Sequence, residues 1–200
     1  DYVFEIIQNS NFGQEIHESF MDLAVGTGVL LVEEGDAINP VRFNAIPLPS
    51  VYLDTGPDDK IDHVYRERSI KNSDIAVAYP KGVIGEKTIR SMQTEPDKKV
   101  KVLEIVCRNY SDLNEEKYDY YVINCDDREM IYYELFEGSG SNPYVCFRFS
   151  KASGEIYGRG PLINALSAIK TTNLTIELVL ENAQMAISGV YQMDDDGMIN

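Results

Sequence analysis

The sequence predicts an α+β fold: helices and an antiparallel β meander, followed by one long α-helix. Three observations carry that prediction. Apolar residues recur at helical spacing over residues 2–24. Four apolar runs between residues 100 and 149 are separated by short polar turns. Residues 161–187 sustain an apolar repeat of alternating fours and threes.

Along the chain, Phe4, Ile7, Phe12, Ile16, Phe20 and Leu23 share an approximate helical face that is interrupted at 9–13. Two helices, or one kinked helix, are expected there, with Asn11 as an N-cap. Gly26 and Gly28 punctuate the switch to a strand over 29–33. Their Gly-Thr-Gly run follows a helix and precedes a strand, the reverse of a phosphate cradle. Neither a Lys-Ser/Thr pair nor a third glycine completes a nucleotide fingerprint, so the run reads as a turn.

Short strands are expected over 41–43, 51–53 and 61–66, with Pro47 and Pro49 keeping their segment at an edge or in a loop. Ser69 or Asn72 is expected to cap a short helix over 74–79 that Pro80 ends, and 84–92 to form another. Strands follow at 100–108, 118–125, 130–136 and 144–149, an antiparallel meander by their separators.

The last stretch is the most ordered pattern. Pro161 suits a first helical position, where its missing N–H has no intrahelical partner. Leu162, Leu166, Ile169, Asn173, Ile176, Leu180, Ala183 and Ile187 then fall on one face of a helix of about 27 residues, roughly 40 Å long. Gly189 follows as a helix end that tolerates a left-handed residue. So narrow a seam on so long a helix asks for neighbours, from its own chain or from copies of itself. Asn173 within the seam suits the second case, because a polar seam residue fixes register and copy number. A long surface helix on its own sheet stands as the alternative.

Composition narrows the function. The chain has 33 acidic and 18 basic residues, a formal net charge of −15. A surface that grips nucleic acid needs clustered Lys and Arg, so that class is disfavoured, although a surface that nucleic acid slides past is not. Cys107, Cys125 and Cys146 are odd in number and lack metal-ligand spacing, so they are expected as buried free thiols in a reducing compartment. His17 and His63 stand alone, without a nucleophile motif or a second ligand at metal spacing. No cofactor is expected. No apolar run is long enough to span a membrane and no signal peptide is visible. Tyr118, Tyr120, Tyr121, Tyr132, Tyr133 and Tyr144 lack the interleaved basic residues of a base-stacking sheet, and are read as filling a half-exposed sheet or a subunit interface. Nothing selects a catalytic pair from the dispersed carboxylates; an acidic metal-dependent hydrolase or transferase domain and a ring-forming or cell-surface assembly module without a DNA role remain as alternatives. The chain begins at Asp1 without an initiator methionine and stops after Asp194-Asp195-Asp196-Gly197 has started a turn, and is read as a piece of a longer polypeptide.

Arg148-Phe149-Ser150 and then Gly154-Glu155-Ile156-Tyr157-Gly158-Arg159-Gly160-Pro161, followed by a long helix and a Ser-Gly-Val exit, resemble the head-to-tail connector (portal) proteins of podovirus-type bacteriophages. Gly26-Thr27-Gly28, the segment 43–49 and Ile61-Asp62-His63-Val64-Tyr65-Arg66 are similar to the same family, so the resemblance runs from about residue 12 to 200. It implies a non-enzymatic structural protein of the virion, assembled in the host cytoplasm as a ring, usually a dodecamer, at one vertex of the phage head. Double-stranded DNA passes through that ring in packaging and ejection. The terminase large subunit and later the tail adaptor dock on it, and capsid and scaffolding proteins surround it. Residues 1–153 would then be wing, 154–188 a turn plus the first stem helix, and 189–200 the start of the clip. Lys170, Glu177 and Glu181 become DNA-channel candidates, and Leu166, Ile169, Asn173, Ile176 and Leu180 subunit-packing candidates. Tyr157, Gly158, Arg159, Gly160 and Pro161 form the structural motif. Arg159 is expected to fork onto carbonyls or a carboxylate near the helix start or across a subunit boundary.

Overall fold

The amino-terminal apolar face forms two helices, α1 (Tyr2–Asn9) and α2 (Phe12–Val25), in the computed structural model, which describes residues 2–112 and 115–189. Eight strands follow: β1 (Thr27–Glu34), β2 (Val41–Ala45), β3 (Val51–Thr55), β4 (Ile61–Lys71), β5 (Lys99–Asn109), β6 (Lys117–Asn124), β7 (Glu129–Glu137) and β8 (Tyr144–Arg148). Between β4 and β5 lie a 3-10 turn (Asn72–Asp74) and two short helices, α3 (Ile75–Ala78) and α4 (Glu86–Thr94). Together with the long helix α5 (Pro161–Ser188) they make the expected α+β architecture. Residues up to Gly160 form one compact unit and those from Pro161 another.

The meander is real but shorter and differently continued than its spacing suggests. One antiparallel sheet runs β3-β4-β5-β6-β7. The run at 144–149 does not extend it. As β8 it crosses to a second sheet, ordered β2-β1-β8, where Cys146 pairs with Val29. The reason is burial: Thr27, Gly28, Val29, Leu30 and Leu31 are all buried, so β1 needs a strand on each side.

Other corrections have equally local causes. Asn11 stands at the N-cap of α2, but its side chain makes no cap bond. Its Nδ2 donates to the Phe43 carbonyl at 2.7 Å and its Oδ1 accepts from the Phe43 N–H at 3.0 Å, a backbone-like pairing with β2. Ser69 lies within β4, which runs on to Lys71 because β5 pairs with it that far. Asn72 is buried and donates to the carbonyls of Ser91 and Glu95 rather than capping α3. The start of α4 is held by Glu129 of β7, whose carboxylate accepts from the N–H groups of Lys87 and Thr88. Cys125 is not a buried thiol. It sits just past β6 and is exposed, while Cys107 and Cys146 are half-buried.

One face of the five-stranded sheet carries the core in two blocks. Val51, Leu53, Val64, Val106 and Tyr118 pack against Val29, Leu31 and Tyr144 of the smaller sheet. Val100, Val102, Val122 and Ile131 pack against Ile75 and Tyr79 of the α3 segment. At about 25 cal/mol per Å² of apolar surface removed from water, these two blocks are the main source of the unit's stability.

Candidate functional site

The glycine-rich motif is a backbone clasp. β8 ends beside the start of β1, with the Phe149 N–H donating to the Gly26 carbonyl at 2.9 Å. The chain then folds back so that the Gly158 N–H donates to Thr27 Oγ1 at 2.8 Å and the Gly160 N–H to the Val25 carbonyl at 2.8 Å. Tyr157 reaches β3, where its hydroxyl oxygen accepts from the Leu53 N–H at 3.1 Å. Glycine is required by proximity: a Cβ on Gly26 would lie 1.9 Å from the Gly158 carbonyl oxygen, one on Gly158 2.2 Å from that of Gly26, and one on Gly160 2.2 Å from that of Ala24. The Gly-Thr-Gly turn and the Tyr-Gly-Arg-Gly run, far apart in sequence, are two halves of this contact. Arg159 turns outward. Its backbone N–H donates to the Ser150 carbonyl at 2.9 Å, and its exposed guanidinium forks onto Glu155, Nε to Oε2 at 2.9 Å and Nη2 to Oε1. That hydrogen bond holds the Glu155 carboxyl below its usual range.

A buried carboxylate joins the two core blocks, and sequence reasoning missed it. Glu104 of β5 is 2 % exposed. Its Oε2 accepts from Arg66 Nη1 at 3.2 Å and the Tyr144 hydroxyl at 3.1 Å, and its Oε1 from Arg68 Nη1 at 3.0 Å and the Tyr79 hydroxyl at 2.6 Å. Burial works against its charge, but Arg66, the Tyr79 hydroxyl and Arg68 outweigh that and hold the carboxyl below the ordinary glutamate range. The two tyrosines are pushed up, first by burial and then by the neighbouring carboxylate. With four donors on two oxygens the group is satisfied, which suits a structural tie. A signal was present: Glu104 occupies an inward register between Val102 and Val106, opposite Arg66 on the next strand.

Helix α5 begins at Pro161, and Gly189 follows it at φ 67°, the left-handed end its sequence promised. None of its residues is buried. At about 100° per residue, Leu166, Ile169, Asn173, Ile176 and Leu180 lie along one flank, and Lys170, Glu177 and Glu181 along a line beside it. A second apolar flank, outside the heptad seam, is formed by Ile163, Leu174, Leu178 and Met185, roughly 130° from the first with the charged line between them. Ile163, Leu166, Ile169, Leu174, Ile176, Leu178, Leu180 and Met185 are all exposed. The expected clip residues after Gly189 lie outside the described residues.

Between β1–β8 and β6–β7 opens a cleft of about 510 Å³, lined in part by Glu33, Lys81, Tyr120, Glu134, Phe136 and Tyr144. Among the described residues no three His, Cys, Asp or Glu side chains converge to hold a metal ion, and no helix is long and apolar enough to cross a membrane. The family model described as "Bacteriophage head to tail connecting protein" matches residues 1–200, the whole chain. The chain belongs to that family. No curated protein matches it. Membership of the head-to-tail connecting proteins makes it a structural component of the phage particle that assembles with head and tail parts. The clasp, the Glu104 tie and the uncovered helix are thus features of a connector.

Proposed function

We propose that this connector is a portal subunit of the podovirus type: a member of a ring, twelve copies in the expected form, whose central channel passes the genome during packaging and ejection. The observation that carries this reading is α5, a helix of 28 residues with two apolar flanks and no buried residue. So much uncovered apolar surface calls for partners. Two flanks on one rod call for two neighbours, one on each side, as in a cyclic head-to-tail assembly of identical helices. In a closed ring the two neighbours of any member are less than half a turn apart on the side that faces the axis; for twelve members the angle is about 150°. On α5 the flanks are roughly 130° apart across the line of Lys170, Glu177 and Glu181. That side faces the channel. A lining with two carboxylates per cation repels phosphates and keeps DNA from adhering, while Lys170 makes transient contact.

In this reading residues 1–153 are wing, α5 is the first stem helix and residues 189–200 begin the clip. The terminase large subunit, and later the tail adaptor, dock on the ring, and capsid and scaffolding proteins surround it during assembly in the host cytoplasm. Electron microscopy of the full-length protein tests the ring directly: closed rings with a hole wide enough for duplex DNA are expected. Lys170→Ala and Glu177→Ala in that protein are each expected to change the rate or extent of genome packaging. If both leave packaging unchanged, the channel-lining assignment fails.

A further inference from the structure

The face of the five-stranded sheet opposite the core carries one continuous row of large side chains. Tyr52 pairs with Tyr65, Tyr65 with Ile105, Ile105 with Tyr121 and Tyr121 with Tyr133, so the row crosses every strand from β3 to β7. Its ends, Tyr52 and Tyr133, are 60 % and 48 % exposed, and its middle is half-buried. The rings are held in place: Tyr121 and Tyr133 lie 5.0 Å apart between centroids, the Tyr133 hydroxyl donates to Asp119 at 2.9 Å, and the Tyr65 hydroxyl accepts from the Cys107 thiol at 3.9 Å. On the same face, two residues along their strands from the row, stand Asp54, Asp119 and Glu67. Lys101, opposite Ser69, is already paired with Glu67. Beside the row the face is therefore aromatic and acidic; Lys71, Lys99 and Lys117 stand farther along the strands, Lys71 paired with Asp97 and Lys117 with Glu115 and Glu137.

Over the other side of the sheet lies the α3–α4 segment, whose inner residues Ile75 and Tyr79 belong to the core. Its outer surface has the opposite character. Val77 and Val83 are 81 % and 83 % exposed, Ile89 is exposed, and Lys81, Lys87 and Arg90 stand among them with a single carboxylate, Glu86.

We propose that the tyrosine row is an interface between copies of this chain, seated on the Val77–Arg90 surface of the next copy. The occupant follows from charge and chemistry. Duplex or single-stranded DNA is repelled by Asp54 and Asp119, and two tyrosine faces meeting symmetrically would oppose like charges. The valines and isoleucine offer apolar cover for the rings, and Lys87 and Arg90 complement the carboxylates and stack on tyrosine. Because the two surfaces lie on different sides of one unit, the contact is heterologous and generates a ring when its rotation closes. The inference rests on the ring reading above and adds to it a second belt of contact, apart from α5.

The test places p-benzoylphenylalanine at position 52 of the full-length protein, on the strand farthest from β7, and assembles it from a mixture of isotopically light and heavy copies. After irradiation, mass spectrometry is expected to find mixed light–heavy cross-links into residues 77–90. The double variant Lys87→Glu/Arg90→Glu is expected to lower their yield at least tenfold. Ring formation is scored separately by electron microscopy on unirradiated samples. If closed rings form but position 52 cross-links elsewhere, to DNA, to another phage protein or not at all, this interface is wrong and the ring reading survives. If no closed rings form, the ring reading falls and takes this interface with it.

Discussion

Tyr144 of β8 donates its hydroxyl to Glu104 of β5 at 3.1 Å, so the three-stranded sheet and the five-stranded sheet share one buried carboxylate. Arg66, Arg68 and Tyr79 complete its coordination. Replacing both partners of such a group by apolar residues can be neutral, but removing the charge alone leaves two arginines without their anion. Glu104→Gln is expected to destabilise the fold by about 3 kcal/mol at neutral pH, read by urea unfolding. A loss under roughly 1 kcal/mol would show the tie to be ornamental.

The same group sets an acid limit. Its folded carboxyl titrates below the ordinary value of 4.5, so between the two values the unfolded chain binds more protons and stability rises with pH. The contribution is complete above about pH 4.5 and is lost as pH falls through the lowered folded value. The stability gap between the natural protein and Glu104→Gln should accordingly narrow below that pH, in denaturant titrations from pH 7 down to 3. A gap that stays constant would assign the acid sensitivity to other carboxylates.

Glycine substitutions separate close approach from helix propensity. Gly158→Ala puts a methyl group 2.2 Å from the Gly26 carbonyl oxygen, and a loss of roughly 3 kcal/mol or failure to fold is expected. Gly13→Ala, within α2 and with open space around the added carbon, should gain up to about 1 kcal/mol. Thermal melts of the two variants decide it, and equal shifts would remove the clasp.

Cysteine chemistry offers a folding probe. Burial pushes the Cys146 thiol up to about 12 and the Cys107 thiol up as well, whereas Cys125 is exposed. With iodoacetamide at pH 8, peptide mapping should find Cys125 alkylated first and Cys146 only when the protein unfolds. Rapid alkylation of Cys146 in the native protein would mean that β8 is not docked.

Arg159→Ala tests whether the exposed fork onto Glu155 is local. The melting temperature of the fold should not change, because an exposed i,i+4 pair is screened by solvent. If ring assembly of the full-length protein nevertheless drops, Arg159 acts across a subunit boundary.

What the sequence showed plainly was whatever repeats along one element. The period of α5, its Pro161 start and its Gly189 end need no tertiary information, and neither do the strands and turns of β5, β6 and β7. What it hid was pairing between distant segments. Nothing in the residues of β8 says that they will leave β7 for β1. Asn11 looks like a cap because its neighbours are helical, yet its amide is taken by Phe43 of β2. Glu104 was visible as a carboxylate among inward valines, but Tyr79 and Tyr144 could be assigned to it only once two sheets and a helix had been placed around it. The glycines at 26, 158 and 160 were noticed separately, and their shared role is a matter of distance.

The pairing of β8 with β1 has a consequence for how the chain is made. Thr27 is opposite Arg148, so more than a hundred residues must leave the ribosome before β1 finds its second neighbour. At roughly 5–20 residues per second, the apolar edge of the nascent β1–β2 hairpin waits for seconds without its cover. Meanwhile the five-stranded sheet, in which every strand pairs with its neighbour in chain order, can form as it emerges. Vectorial synthesis therefore finishes the middle of this unit first and its beginning last, and the hairpin at the front is the segment a chaperone would need to hold.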